Sequence, residues 1–342
     1  MPAQFLTWYQ GLTEGLVGSL VLFVLGAFLL IKGGDWFVDG AVGIAKRFRL
    51  PEIVIGATVV SIGTTLPEVM VSVTAAVHSH GAIAFGSAIG SIICNTALIA
   101  ALTVAIRPSS INRKNLMTPV LFFFLSASVY AMAAYIFGRF DRWLGIVLLL
   151  LFGLYMAITI YKGLRHARQE QPEENNELPA NPFFKDVILL VVSAALIAVG
   201  ADMLESSSVS LATLAGIPAE VVAVTIVALC TSLPELVTTG TALTKGHGAL
   251  SLGNVIGANI FNLVLVSGAA VTISPFAVPE GSTLLGYHAS LLLEIPLMLG
   301  VMALLTLPAL IKGKLSRWQG VTLLGIYAAF VTLQVLIAFH VI

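Results

Sequence analysis

The sequence predicts an all-α polytopic membrane protein of ten transmembrane helices, arranged as two inverted five-helix repeats. Three observations predict it. The 342-residue chain is 58% hydrophobic and 10% charged, with a mean hydropathy of +1.00, and it divides into apolar runs of about 20 residues, each able to cross a bilayer core of ~30 Å. A long stretch occurs twice at a fixed offset. The basic residues crowd into alternate turns. Such a composition excludes a soluble domain. The 17 basic and 17 acidic residues cancel, so only their placement is informative. Cys94 and Cys230 both lie in apolar segments, where neither a disulfide framework nor a metal-thiolate site is expected.

The first span opens at Gly11, runs to Ile31 and continues, tilted, through Asp35 and Trp36 towards Ala45. It lacks a basic leader and a small-residue cleavage site, so it reads as a retained span. Lys46, Arg47, Arg49 and Pro51 form a basic turn. Span two runs from Ile53 to Val77, span three from Ala82 to Ile106, span four from Pro119 to Phe137 and span five from Trp143 to Tyr161. The polar segment 162–182, rich in Glu, Gln, Asn and Pro, reads as a linker between the halves 1–161 and 183–342. Span six runs from Phe183 to Ala215, span seven from Val221 to Leu243 and span eight from Ala249 to Ile273. Span nine covers Leu284 to Ile311, and span ten ends the chain at Ile342.

Adding 167 to a residue number in the first copy gives its partner in the second, without a gap from Gly33/Gly200 to Ile99/Val266. About a third of the paired positions are identical, which marks an internal duplication. Five spans per copy, an odd number, make the second copy enter from the opposite face. Charge placement agrees. With both termini outside, the inside turns and linker carry Lys46, Arg47, Arg49, Arg107, Arg113, Lys114, Lys162, Arg165, Arg168, Lys185, Lys245, Lys312, Lys314 and Arg317. The outside turns carry only Arg139 and Arg142. Topology therefore explains the basic turns without a nucleic-acid partner, and no protein partner is evident.

Glu68 and Glu235 are partners in the duplication and fall near the middle of spans two and seven. A carboxylate at bilayer depth costs a few kcal/mol or more unless it is partnered. One such glutamate is compatible with a structural carboxyl bonded between helices. Two in matching positions of inverted repeats converge on one midplane site. Pro67 and Pro234 precede them, and a proline inside a helix frees carbonyls one turn back, here those of Gly63 and Thr64, and of Cys230 and Thr231. Such carbonyls persist at that depth only where something satisfies them. Two carboxylates with carbonyl and hydroxyl oxygens form a hard-cation ligand set suited to Ca²⁺. The hydroxyls of Thr64, Thr65, Thr231 and Ser232 suit smaller sites for Na⁺. Asn95 and Asn262 offer neutral amide oxygens; Ser87, Ser91 and Asn95 share one helical face, which in the second copy reads Asn254, Ala258, Asn262. Gly86, Gly90, Gly253 and Gly257 form G-x-x-x-G pairs that permit close helix approach.

These motifs, Gly-Thr-Thr-Leu-Pro-Glu68 with Gly-Ser-Ile-Ile-Cys-Asn95 and Cys-Thr-Ser-Leu-Pro-Glu235 with Gly-Ala-Asn-Ile-Phe-Asn262, resemble the paired alpha-repeats of the sodium/calcium exchanger family. The resemblance covers nearly the whole chain. It implies two inverted five-helix halves in a prokaryotic plasma (inner) membrane, and electrogenic exchange of Na⁺ for Ca²⁺ by alternating access, with no nucleotide or other cofactor. Carried over by position, Glu68 and Glu235 would bind Ca²⁺ and Na⁺, with the carbonyls of Thr64 and Thr231 as further Ca²⁺ ligands. Thr65, Ser232 and Ser91 would help hold Na⁺. Asn95 and Asn262 would line the central site, and Ser61 and Ala228 would contribute backbone carbonyls. Three positions depart from the usual pattern: Asn262 stands where many prokaryotic members carry Asp, Ala258 replaces Ser, and Cys230 replaces Gly. These leave H⁺/Ca²⁺ antiport through the same glutamates as the alternative. An intramembrane enzyme would need a nucleophile or metal-binding His/Asp at that depth, and none is evident. A passive channel fits the inverted repeats less well than alternating access.

Outside this set, Glu294 in span nine reads as a structural carboxyl bonded to a neighbouring helix. Asp35 and Asp202 read as helix-packing or access residues, and His80 and His247 as solvated turn residues.

Overall fold

The computed structural model describes residues 15–48, 50–108, 110–169, 182–215, 232–279, 283–284 and 287–338. Its helices follow the apolar runs: α1 (Leu16–Arg47), α2 (Glu52–Val77), α3 (Gly81–Ile106), α4 (Arg113–Phe137), α5 (Arg142–Gln169), α6 (Phe183–Leu214), α7 (Leu233–Thr244), α8 (Gly248–Ile273), α9 (Ser290–Lys312) and α10 (Arg317–Ala338). Among the described residues, nine of these are long and apolar enough to cross a membrane. The described part of α7 has 12 residues, and the first part of the expected span seven, residues 221–231, lies outside the described residues.

The helix bounds carry the duplication further than identity does. α1 and α6 begin and end at the same offset (16 + 167 = 183; 47 + 167 = 214), as do α3 and α8 (81 + 167 = 248; 106 + 167 = 273). Beyond them the offset becomes 175: Gly138 and Gly313 are both left-handed, with φ of 64° and 69°, and end α4 and α9. α5 and α10 start at Arg142 and Arg317 (142 + 175 = 317). The difference of eight residues falls between α8 and α9. There Phe276–Ala277 (β2) pairs with Arg139–Phe140 (β1), and Thr283–Leu284 (β3) pairs with Tyr287–His288 (β4). Span nine therefore starts at Ser290, not Leu284, because Thr283–His288 closes a short hairpin instead of a helical turn. α5 in turn runs eight residues into the polar segment, where Leu, Arg, Ala and Gln are good helix formers.

Helix contacts are exchanged between the copies. α1 packs along α6. A Cβ on Gly26 would lie 2.9 Å from the Gly200 carbonyl oxygen, and one on Gly33 would lie 3.2 Å from that of Ser193. Since 26 + 167 = 193 and 33 + 167 = 200, the two contacts are the same contact with the copies swapped, as a two-fold axis requires. The same holds for α5 on α8 and α10 on α3. A Cβ on Gly145 would meet the Gly268 carbonyl at 2.8 Å, and one on Gly320 would meet that of Ala101 at 2.5 Å. The largest core joins α3, α4, α5, α8, α9 and α10, with Tyr130, Phe123, Phe140 and Phe261 fully buried.

Candidate cation site

Among the described residues five π-helical turns interrupt the helices, and two of them frame the site. Asn95 opens the π turn Asn95–Ala100 in α3, and Asn262 opens Asn262–Val266 at the equivalent place in α8. A π turn displaces carbonyls from the helical ladder. Side chains capture several of these. The Ser267 hydroxyl donates to the Asn262 carbonyl at 3.1 Å. In the π turn Gly56–Val60 of α2, Ser61 Oγ donates to the Gly56 carbonyl at 2.8 Å and the Tyr155 hydroxyl donates to that of Ala57 at 3.2 Å.

The π turn of α3 packs against α7, and that of α8 packs against Ser61–Val77 of α2. Each amide of one copy is thus carried to the glutamate helix of the other. Glu68 and Glu235 are 1% and 0% exposed, and their carboxyls interact directly. Thr65 Oγ1 donates to Glu235 Oε1 across the copies at a long 3.4 Å. Among the described residues both Glu68 oxygens and Glu235 Oε2 have no hydrogen-bond partner, nor does any side-chain polar atom of Asn95 or Asn262, nor the Ser232 hydroxyl. Buried polar atoms are nearly always satisfied. Six such oxygens, three of them on carboxylates, make a donor set of the kind that suits a hard cation. Thr64, Ser91 and Ser61 are buried around it. The structure therefore brings together Glu68, Glu235, Thr64, Thr65, Ser232, Asn95, Asn262, Ser91 and Ser61, while Thr231 and Ala228 lie outside the described residues.

Ser61 was expected to supply a carbonyl; its hydroxyl also donates, to the Asn254 carbonyl at 2.9 Å. Asn254 is the residue that sequence reasoning passed over. Its place on the Asn262 face was visible, but its contacts with α2 and α7 depend on how α8 crosses both helices. That crossing is close because a Cβ on Gly257 would lie 2.6 Å from Ala57 Cα, as the Gly253/Gly257 pair suggests. Outside the site, Glu294 accepts from Gln334 on α10 at 3.1 Å. Lys245 bridges to Asp39 at 2.8 Å and to Asp35 at 3.7 Å. His247 is not simply solvated: its Nδ1 lies 2.7 Å from Glu52 Oε1, because the α7–α8 turn folds back onto the start of α2.

A family model described as "Sodium/calcium exchanger protein" matches residues 18–161 and 185–336. A membrane protein of Methanocaldococcus jannaschii is 34% identical over 312 residues, 89% of this chain and 94% of the relative. The sodium/calcium exchanger MaX1 of Methanosarcina acetivorans is 32% identical over 349 residues, 91% of this chain and 97% of the relative. Among solved structures, the sodium-calcium exchanger NCX_Mj soaked with Na⁺ and Sr²⁺ aligns with a TM-score of 0.78 at 30% identity, covering 93% of this chain and 99% of that one.

Proposed function

Because the chain belongs to the sodium/calcium exchanger family, an integral-membrane family of transporters and not of enzymes, we propose that it exchanges Na⁺ for Ca²⁺ by alternating access at the Glu68/Glu235 site. The single observation that carries this reading is the buried pair itself: two carboxyls from related helices, facing each other with most of their oxygens unpartnered. Two carboxylates repel in a medium of low dielectric, and a divalent cation between them converts that repulsion into two attractions. Na⁺ ions do the same as a set, which is the basis for mutually exclusive occupancy. Ten spans in two inverted halves supply the alternating access, because exchanging the conformations of two related halves moves one midplane site from face to face. The swapped glycine contacts of α1 with α6 and of α5 with α8 support that arrangement. The reading places the protein in a prokaryotic plasma membrane with both termini outside.

H⁺/Ca²⁺ antiport is the second reading. It is favoured by Ala258, which removes a hydroxyl from the second copy's face of the site. Proteoliposomes separate the two. Radiolabelled Ca²⁺ uptake is expected under an outward Na⁺ gradient and not under an outward H⁺ gradient, and Glu68→Gln or Glu235→Gln is expected to abolish it. Uptake driven by H⁺ alone selects the second reading, and uptake under neither gradient sinks both.

A further inference from the structure

Four buried asparagines lie on the two related helices α3 and α8, and they divide by how they are satisfied: Asn259 ties α8 to Thr96 of α3 at 2.7 Å, and the other three bear on the glutamate layer. The side chains of Asn95 and Asn262 make no hydrogen bond among the described residues. Asn254, 1% exposed, is bonded at both ends of its amide. A primary amide offers two donors and two acceptor lone pairs. Asn254 Nδ2 donates to Thr238 Oγ1 at 3.0 Å and to Thr239 Oγ1 at 3.1 Å, both on α7. Its Oδ1 accepts from Thr64 Oγ1 at 3.3 Å and lies 3.5 Å from Ser61 Oγ, both on α2, the Ser61 proton facing the Gly56 and Asn254 carbonyls more closely. The orientation of the amide is determined. Thr238 spends its own proton on the Pro234 carbonyl at 2.7 Å, so it can only accept from Asn254.

We propose that Asn254 is a positioning residue of the cation site, which holds the Thr64 hydroxyl with its proton turned away from the glutamates and its lone pairs turned towards them. A hydroxyl ligates a cation through its lone pairs, and its proton then needs an acceptor elsewhere. Asn254 Oδ1, at 3.3 Å, is the nearer of two such acceptors, the Ser61 carbonyl lying at 3.4 Å. The residue bridges copies, since Thr64 belongs to the first and Asn254, Thr238 and Thr239 to the second. Its own counterpart in the first copy is Ser87 (87 + 167 = 254), a side chain too short to make these contacts, whose hydroxyl is buried without a partner among the described residues. The clamp therefore distinguishes the two halves of the site. On its other side, Thr239 lines a cavity of about 340 Å³ together with Glu52, Thr103, Arg107 and Ser251, so Asn254 stands between that cavity and the glutamate layer.

The proposal rests on the cation-exchange reading of Glu68 and Glu235, and equilibrium binding of radiolabelled Ca²⁺ to the purified full chain tests it. Asn254→Ser is expected to weaken binding about tenfold, the equivalent of one hydrogen bond to a cation ligand, while the maximal transport rate at saturating Ca²⁺ stays within about threefold. Thr64→Val, which removes the hydroxyl at nearly constant volume, is expected to weaken binding by a similar factor. Because Asn254 acts through Thr64, the double variant is expected to be no weaker than Thr64→Val alone. Multiplying effects, or unchanged binding in Asn254→Ser, overturn the clamp. If Asn254→Ser does not fold, Thr238→Val removes one anchor of the amide, and unchanged binding in it overturns the clamp as well. A wild-type chain that binds no Ca²⁺ overturns the exchange reading together with the clamp, whereas a failure confined to the variants leaves that reading standing.

Discussion

A buried amide without partners lowers the stability of the fold unless something else occupies its lone pairs, and Asn95 and Asn262 are two such amides, each 0% exposed. On the proposed cation-exchange reading, their cost is what a cation repays when it binds. Leucine keeps the branching of asparagine at Cγ and has no polar atoms, at the cost of a larger side chain. Replacing both residues by Leu therefore removes a desolvation penalty of about 1–3 kcal/mol for each amide while deleting two neutral oxygens from the site. Asn95→Leu/Asn262→Leu is expected to unfold at or above the wild-type temperature in ion-free detergent, and to lose most of the stabilisation that Ca²⁺ gives the wild type. Thermal unfolding with and without Ca²⁺ measures both. A variant that is less stable without ions would show that these amides are structural and have partners of their own.

At the scale of helices, packing depends on glycines that admit a neighbour's backbone. Gly145 and Gly320 are related by the offset of 175, and each faces the other copy: a Cβ at Gly145 would lie 2.6 Å from the Thr272 amide nitrogen, and one at Gly320 would lie 2.5 Å from that of Ala105. Neither neighbour is a flexible side chain, so a helix must move. Gly145→Val and Gly320→Val are each expected to destabilise by roughly 1–3 kcal/mol, and by similar amounts, as read from denaturation midpoints. A large cost at one position with none at the other would contradict the two-fold relation. Much of this was legible beforehand. The offset of 167, the apolar runs and Glu68/Glu235 lie in the residues themselves, and α1 and α6 end where the offset says they should. The π turns were not legible. Gly56–Val60 and Asn95–Ala100 have ordinary helical composition, and what stabilises them is tertiary, such as the Tyr155 hydroxyl reaching the Ala57 carbonyl from 98 residues away. The contacts of Asn254 were hidden for the same reason. So was the His247–Glu52 pair, which joins turns 195 residues apart.

For the whole molecule, the decisive property is which face each turn occupies, because alternating access requires the two copies to present the same helices to opposite sides. The left-handed glycines give a matched pair of probes. Gly138 ends α4 and Gly313 ends α9, and each is followed by a short connection whose first residue, Arg139 or Lys314, is exposed, the first carrying the Arg139–Asp141 pair at 2.6 Å. If the copies are parallel, these equivalent turns share a face. If they are inverted, the turn after Gly138 is outside and the turn after Gly313 is inside, where Lys312, Lys314 and Arg317 follow the positive-inside rule. Cys94 is buried, so replacing it by Ala and Cys230 by Gly, the residue at position 63 of the first copy, gives a background for single cysteines. In intact cells a membrane-impermeant maleimide is expected to label Arg139→Cys at once and Lys314→Cys only after permeabilisation. Labelling of both from the outside would place the two copies parallel and remove the geometric basis for moving one site between two faces. The reverse order would keep the inversion but turn the protein over, and the charge bias would need another explanation.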